Sequence, residues 1–179
     1  MKRQINPFDY AGEICKAMPQ GILLTTKRGD EVNSMTIGWG CMGYDWSRPV
    51  FIAYVRESRY TKQLLEENGE FTVNIPMGEA DRRILSLCGR KSGRDMNKIE
   101  KLNLTLEAPE AISVPGIREL PLTLECKVIY KQKQDLSAIP EDILNRYYPV
   151  EDDTFHPGSE RDYHIAYTGE ILNAYIIEE

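Results

Sequence analysis

The chain has 179 residues, of which 41% are hydrophobic and 28% charged, and its net charge is −6. That length suits a single domain with a real core, and the acidic balance argues against general nucleic-acid binding, which needs basic surface to displace phosphate counterions. No apolar stretch is long enough to span a bilayer and Met1 to Pro7 lacks a signal-peptide core, so a cytoplasmic protein with no membrane partner is expected.

Residues 8–18 place Ala11, Cys15 and Met18 on one helical face, ended by Pro19-Gln20-Gly21. Ile22 to Thr26 reads as a strand, Lys27 to Glu31 as a turn, and Val32 to Trp39 as the returning strand of a hairpin. The return strand has unlike faces: Met35, Ile37 and Trp39 on one, Ser34, Thr36 and Gly38 on the other. A face so free of bulk, followed by Gly40-Cys41-Met42-Gly43, lets a flat ligand reach the backbone; an edge strand with a bulge at Gly38 or Gly40 explains it equally well. Tyr44 to Pro49 reads as a loop.

Val50 to Val55 and Phe71 to Ile75 read as strands flanking a short helix with Tyr60, Leu64 and Leu65 at helical spacing, capped by Ser58 and stopped at Asn68-Gly69. These two strands can pair in parallel but need not. Arg56, Ser58, Arg59 and Thr61 therefore meet where a strand passes into a helix. Free amides and the helix dipole favour an anion there, and arginine offers a fork that matches phosphate oxygens. On this turn alone, a phosphate seat and a surface turn paired with Glu57, Glu66 or Glu67 stand level.

Residues 79–88 form a short amphipathic helix with Ala80, Ile84, Leu87 and Cys88 inward. The stretch from Cys88 to Lys98 holds two glycines and four basic residues, then enters a helix capped by Asp95; it is either a second anion-facing loop or a solvated one. Residues 102–119 are irregular, and Leu120 to Tyr130 alternates as a half-buried antiparallel strand. Residues 133–161 form a polar excursion with a helical turn or two near Glu141 to Tyr147: a lid, an arm across a partner, or an insertion without a role. Tyr163 to Ile177 closes the chain as a long strand. About six strands and at least three helices without regular alternation point to a mainly antiparallel barrel with helices at its ends.

Cys15, Cys41, Cys88 and Cys126 show no Cys-x-x-Cys spacing and only two histidines are present, so no metal site is expected and the thiols read as buried and reduced. His156 reads as surface. Trp39 and Trp46 can stack on a ring, although tryptophans more often fill a core.

Six stretches in this order resemble the flavin reductase-like family of FMN-binding split barrels that includes flavoredoxin: Gly21 to Thr26, Asn33 to Gly40, Arg56 to Thr61, Phe71 to Pro76, Cys88-Gly89 with Ser92-Gly93-Arg94-Asp95, and His164 to Ile171. The resemblance runs from about Pro19 to Ile171. It implies a mainly β fold, a Greek-key antiparallel split β-barrel with a few short helices, forming one FMN-binding domain over residues 1–179. By position, Met35, Thr36, Ile37, Gly38 and Trp39 would line the isoalloxazine, Arg56, Ser58, Arg59 and Thr61 would hold the phosphate and ribityl tail, and Asn74 would sit at the flavin edge. Ser92, Gly93, Arg94 and Asp95 would come from a loop near the flavin, and His164 would be the residue to test as a chemical participant. The resemblance further implies a homodimer. The expected activity is hydride transfer from NADH or NADPH to FMN, in which the cofactor carries the chemistry and the protein orients it. The alternatives are an electron carrier reduced by a redox protein partner, and a barrel that has lost its cofactor.

Overall fold

The computed structural model describes residues 1–78, 81–150 and 162–178. Eight antiparallel strands form one sheet in the order β3-β2-β6-β9-β10-β5-β4, with β1 (Lys2–Gln4) pairing with β10. These are β2 (Ile22–Arg28), β3 (Glu31–Ile37), β4 (Gly40–Asp45), β5 (Arg48–Arg56), β6 (Glu70–Ile75), β9 (Leu122–Lys133) and β10 (His164–Ile177). Two short strands, β7 (Leu106–Glu107) and β8 (Gly116–Ile117), pair separately. The path begins at β3 and ends at β4, yet only Gly38 and Trp39 separate these strands in sequence. The sheet thus curls back on itself and leaves one seam, between β3 and β4, without a ladder. This is the expected antiparallel split barrel.

The expected hairpin forms, with Ile22 opposite Ile37 and Arg28 opposite Glu31. Leu24, Met35, Ile37, Phe51, Phe71, Val73, Leu124 and Tyr167 fill the barrel. A second cluster of Leu23, Ile84, Cys88, Leu104, Ile117 and Leu120 covers the outside of β2, brought there in part by α3 (Arg82–Arg90). Burial on both faces explains why β2 reads as a continuous apolar run rather than an alternating one. Burying each such leucine contributes about 1.5–3 kcal/mol.

Several expectations change. The helical face of α1 (Ala11–Ala17) that turns inward carries Ile14, while Cys15 is exposed. Cys41 is exposed too, and only Cys88 and Cys126 are the buried thiols foreseen. Residues 44–49 are no loop: β4 and β5 form a hairpin turned by Trp46 and Ser47 at φ 47° and 58°. β9 is buried on both faces from Leu122 to Cys126, not on one. β5 and β6 do not pair; β10 and β9 lie between them. The helix α2 (Tyr60–Asn68) takes Arg59 as its N-cap residue without a side-chain bond, and Gly69 at φ 72° stops it as foreseen. The short helix α4 (Lys98–Lys101) is capped by Asn97, not Asp95, because the Asn97 carboxamide oxygen accepts from Ile99 and Glu100 N–H. The helical turns foreseen in the excursion form as α5 (Glu141–Tyr147). His156 and Ala80 lie outside the described residues.

Candidate functional site

The barrel seam sets the site. Between the end of β3 and the start of β4 the chain must cross without ladder bonds, and Gly38-Trp39 does so with Trp39 left 40% exposed. Nor is Trp46 a core tryptophan, at 58% exposed. A cavity of about 160 Å³ opens at the seam, lined by Met35, Thr36, Ile37, Gly38, Trp39, Tyr54, Arg56, Arg59 and His164. A second, of about 570 Å³, shares Gly38, Trp39 and Tyr54 with it and adds Tyr147 and Tyr148 from the end of α5. The first is cationic. Among the described residues the second has no charged side chain in its wall.

β5 and β10 pair so that Arg56 faces His164. Arg56 spends its fork on two carbonyls, Asp162 O at 2.7 Å and Tyr147 O at 2.8 Å, and lies over the Tyr148 ring. It therefore fastens the end of α5, within the polar excursion, and the residue that follows the excursion to the barrel rather than reaching for a ligand. His164 Nδ1 is 2.8 Å from the Tyr148 hydroxyl, and its ring lies 4.9 Å from that of Trp39. Burial first, then the charge of Arg56, pushes the His164 imidazole down to about 4. The histidine is thus neutral at pH 7 and unsuited to delivering protons from an imidazolium. Because its folded value is depressed, the native state loses stability as pH falls from 6.5 toward 4, where only the unfolded chain takes the proton. We expect His164→Gln to flatten that part of the stability–pH curve in urea melts. An unchanged slope would show that the imidazole is charged in the folded protein.

Arg59 lines the cavity and donates to Gly89 O at 3.3 Å. Close by, Lys98 is only 4% exposed, and its ammonium donates to Lys91 O at 3.2 Å. Burial, with Arg59 adding to it, lowers the Lys98 ammonium below the ordinary lysine value, and the neighbouring Cys88 opposes the shift. Among the described residues neither cation has a carboxylate partner. A buried ammonium without a counter-ion is costly, and the Lys98 charge, buried close enough to Arg59 for the two to repel, adds to the positive potential on that side of the cavity. Sequence reasoning missed Lys98. A lysine on a four-residue helix reads as surface, and only the packing of α4 on β3 hides it.

The other expected ligands lie elsewhere. Ser58 is engaged by Asp162, whose carboxylate accepts from Ser58 N–H at 3.0 Å and Ser58 Oγ at 2.6 Å. Its side chain caps nothing. Thr61 is buried and accepts from Asn33 Nδ2 at 2.8 Å. Asn74 is fully buried between strands, accepting from Thr25 and Thr72 and donating to Thr123. It ties β2, β6 and β9 together rather than edging the cavity. Ser92, Gly93, Arg94 and Asp95 lie beside the cavity, not in its wall: Arg94 donates to Ser58 O at 3.2 Å and lies over the Tyr60 ring. Gly93 packs so tightly that an added Cβ would fall 2.3 Å from Asn33 Oδ1. The structure thus brings together Met35 to Trp39, Arg56, Arg59 and His164, and sets Ser58, Thr61, Asn74 and Ser92 to Asp95 behind or beside them.

Known proteins carry the same frame. A flavoredoxin from Methanosarcina acetivorans superposes with a TM-score of 0.63 at 25% identity, over 88% of this chain and 68% of that one. Nitrilotriacetate monooxygenase component B from Bacillus cereus gives 0.66 at 17%, over 98% and 79%. An uncharacterized protein of Archaeoglobus fulgidus is 36% identical over 100 residues, 56% of this chain; that match spans only 55% of the relative's length. The flavin reductase like domain family matches residues 15–179, a span that takes in every strand of the seam and every residue of the cavity. The chain belongs to the flavin reductase-like family.

Proposed function

We propose that the protein binds FMN and works as an oxidoreductase that passes electrons from a reduced nicotinamide dinucleotide through the flavin to an acceptor. The observation that carries this is the cationic cavity at the seam, where Arg59 stands with the stretch from Met35 to Trp39; Lys98 lies buried close to Arg59, and among the described residues neither has a carboxylate partner. They would hold the phosphate. The stretch from Met35 to Trp39 would lie along the ring system, with backbone amides available where the seam leaves them unladdered. The small cavity is below the roughly 300–1,000 Å³ usual for ligand sites, but it adjoins the larger aromatic one. A second copy of the chain closing over the open seam fits the homodimer expected above. Bound flavin would supply two-electron chemistry; the protein's task is to place it and exclude water.

The nicotinamide reading draws support from a groove of about 1,220 Å³ that shares Thr36 with the cavity and carries Lys16, Arg82 and Arg90, cations suited to a pyrophosphate. The flavoredoxin likeness supports the second reading, an electron carrier served by a protein partner. Anaerobic titration separates the two. Loss of the flavin's visible absorbance within seconds of adding NADH or NADPH is the expected result. Flavin that stays oxidised with both nucleotides, yet is reduced by a protein donor, would replace the enzyme with the carrier.

A further inference from the structure

The aromatic cavity beside the seam, at about 570 Å³, has the size usual for a small-molecule site. Trp39, Tyr54, Tyr147 and Tyr148 line it, with Met18 and Ile143 among the apolar residues between them. Its rings are held in place. Trp39 meets the Tyr147 ring edge-on at 5.2 Å and the His164 ring at 4.9 Å. The Arg56 and Arg146 guanidinium groups lie over Tyr148 and Tyr147 without entering the wall. Two neutral donors stand among these rings. The Gln134 carboxamide oxygen accepts from the Tyr148 hydroxyl at 2.7 Å, which leaves the Gln134 amide N–H for a ligand, and Tyr54 adds a phenol. Among the described residues no charged side chain reaches this wall, whereas Lys16, Arg82 and Arg90 line the larger groove. A wall of fixed rings with two neutral donors suits a flat ring that carries carbonyl oxygens. It does not suit a pyrophosphate, whose charge would be desolvated there without a partner.

We propose that this cavity is a binding site for an uncharged flat molecule of the quinone class, and that such a molecule is the electron acceptor. The acceptor role rests on the flavin reading above; the binding site does not. Only Gly38, Trp39 and Tyr54 are common to this cavity and the seam cavity. A flavin laid along Met35 to Trp39 takes the shared side and leaves the side formed by Met18, Gln134, Ile143 and Tyr147 to a second ring. A quinone bound there takes a hydride from the reduced flavin and a proton from water, and departs as the hydroquinone with the flavin oxidised. Donor and acceptor are thereby sorted by charge: the dinucleotide belongs to the cationic groove and the quinone to the aromatic cavity.

The probe is duroquinone, whose fully methylated ring gives the Cys15 thiol in the wall no open position to attack. It is titrated into the full chain by calorimetry, and into a Trp46→Phe variant, where Trp39 is the only tryptophan left to report by fluorescence. One equivalent is expected to bind with a Kd of about 10–100 µM, as suits a ligand of a dozen heavy atoms, and to quench Trp39. Ile143→Glu, which sets a charge in the wall at an exposed position, should weaken that binding about ten-fold or more. Tetramethylbenzoate, a similar ring with a carboxylate, should bind at least ten-fold more weakly, and saturating NAD⁺ should not displace the quinone. FMN is titrated separately. Duroquinone that fails to bind while FMN binds overturns the proposal and leaves the flavin reading standing. Duroquinone that binds where FMN does not keeps the site and removes both the flavin reading and the acceptor role. Equal affinity in Ile143→Glu, equal affinity for the carboxylate, or displacement by NAD⁺ each overturns the proposal, the last by giving the cavity to the nicotinamide ring. Should Ile143→Glu fail to fold, Tyr147→Ser, which removes a ring from the wall, gives the same readout.

Discussion

Combining Arg59→Ala with Lys98→Met is expected to weaken FMN binding by about 100-fold or more, since each charge-assisted hydrogen bond to a phosphate is worth roughly 1.5–3 kcal/mol. The same double variant should be no less stable than wild type. Among the described residues Lys98, buried against Cys88, finds only a carbonyl to receive its protons, so methionine keeps the stem's volume and removes a charge that the fold alone does not need. Binding and stability therefore move in opposite directions, which a merely structural role for Lys98 would not produce. Riboflavin affinity should change far less. Equilibrium titration together with urea melts decides the matter: FMN affinity within three-fold of wild type would remove the phosphate from this corner.

Gly169→Ala is expected to cost about 1–3 kcal/mol, the usual penalty of over-packing a core. A Cβ there would lie 2.5 and 2.6 Å from ring carbons of Phe71 and 3.0 Å from Cys126 Cβ. Gly169 also marks a register shift where β10 crosses β9, so the strand has no slack with which to move aside. Phe71 is fully buried over it. Shrinking the ring in the same chain, with Phe71→Leu, should return part of the loss, so that the double variant is more stable than the sum of the singles allows. Chemical denaturation of the four proteins measures this coupling. A Gly169→Ala midpoint indistinguishable from wild type would mean that the ring yields freely.

The elements legible in the sequence were those where burial writes a period into the chain. The hairpin of β2 and β3, the β5-α2-β6 unit with its Gly69 stop, and the long closing strand all declare themselves through apolar runs and turn residues. β4 did not, because Gly40, Cys41, Gly43 and Asp45 have little strand preference and its turn uses Trp46-Ser47 at positive φ in place of the asparagine and glycine that usually signal one. The stretch from Met35 to Trp39, Arg59 and His164 was named in advance by position from the family resemblance, and the fold brings these residues to one cavity. What could not be named were relations across long separations. Ser58 looked like a helix cap, and only the fold brings Asp162 to it from 104 residues away. Asn74 sits at a strand end next to the expected site, yet alternation along β6 turns it into a buried bond between three strands. Lys98 gave no sign of burial at all.

The unladdered gap between β3 and β4 has a consequence for how such a protein can change. Among the described residues the strand ladders that close the barrel run the other way round it, through β2, β6, β9, β10 and β5. The width of the opening at Gly38 and Trp39 can therefore be altered, by a bulkier residue or a longer link, without breaking a single strand-to-strand bond. Ligand shape is thereby separated from folding free energy, and the same scaffold can be refitted to new ring systems at little cost to its stability.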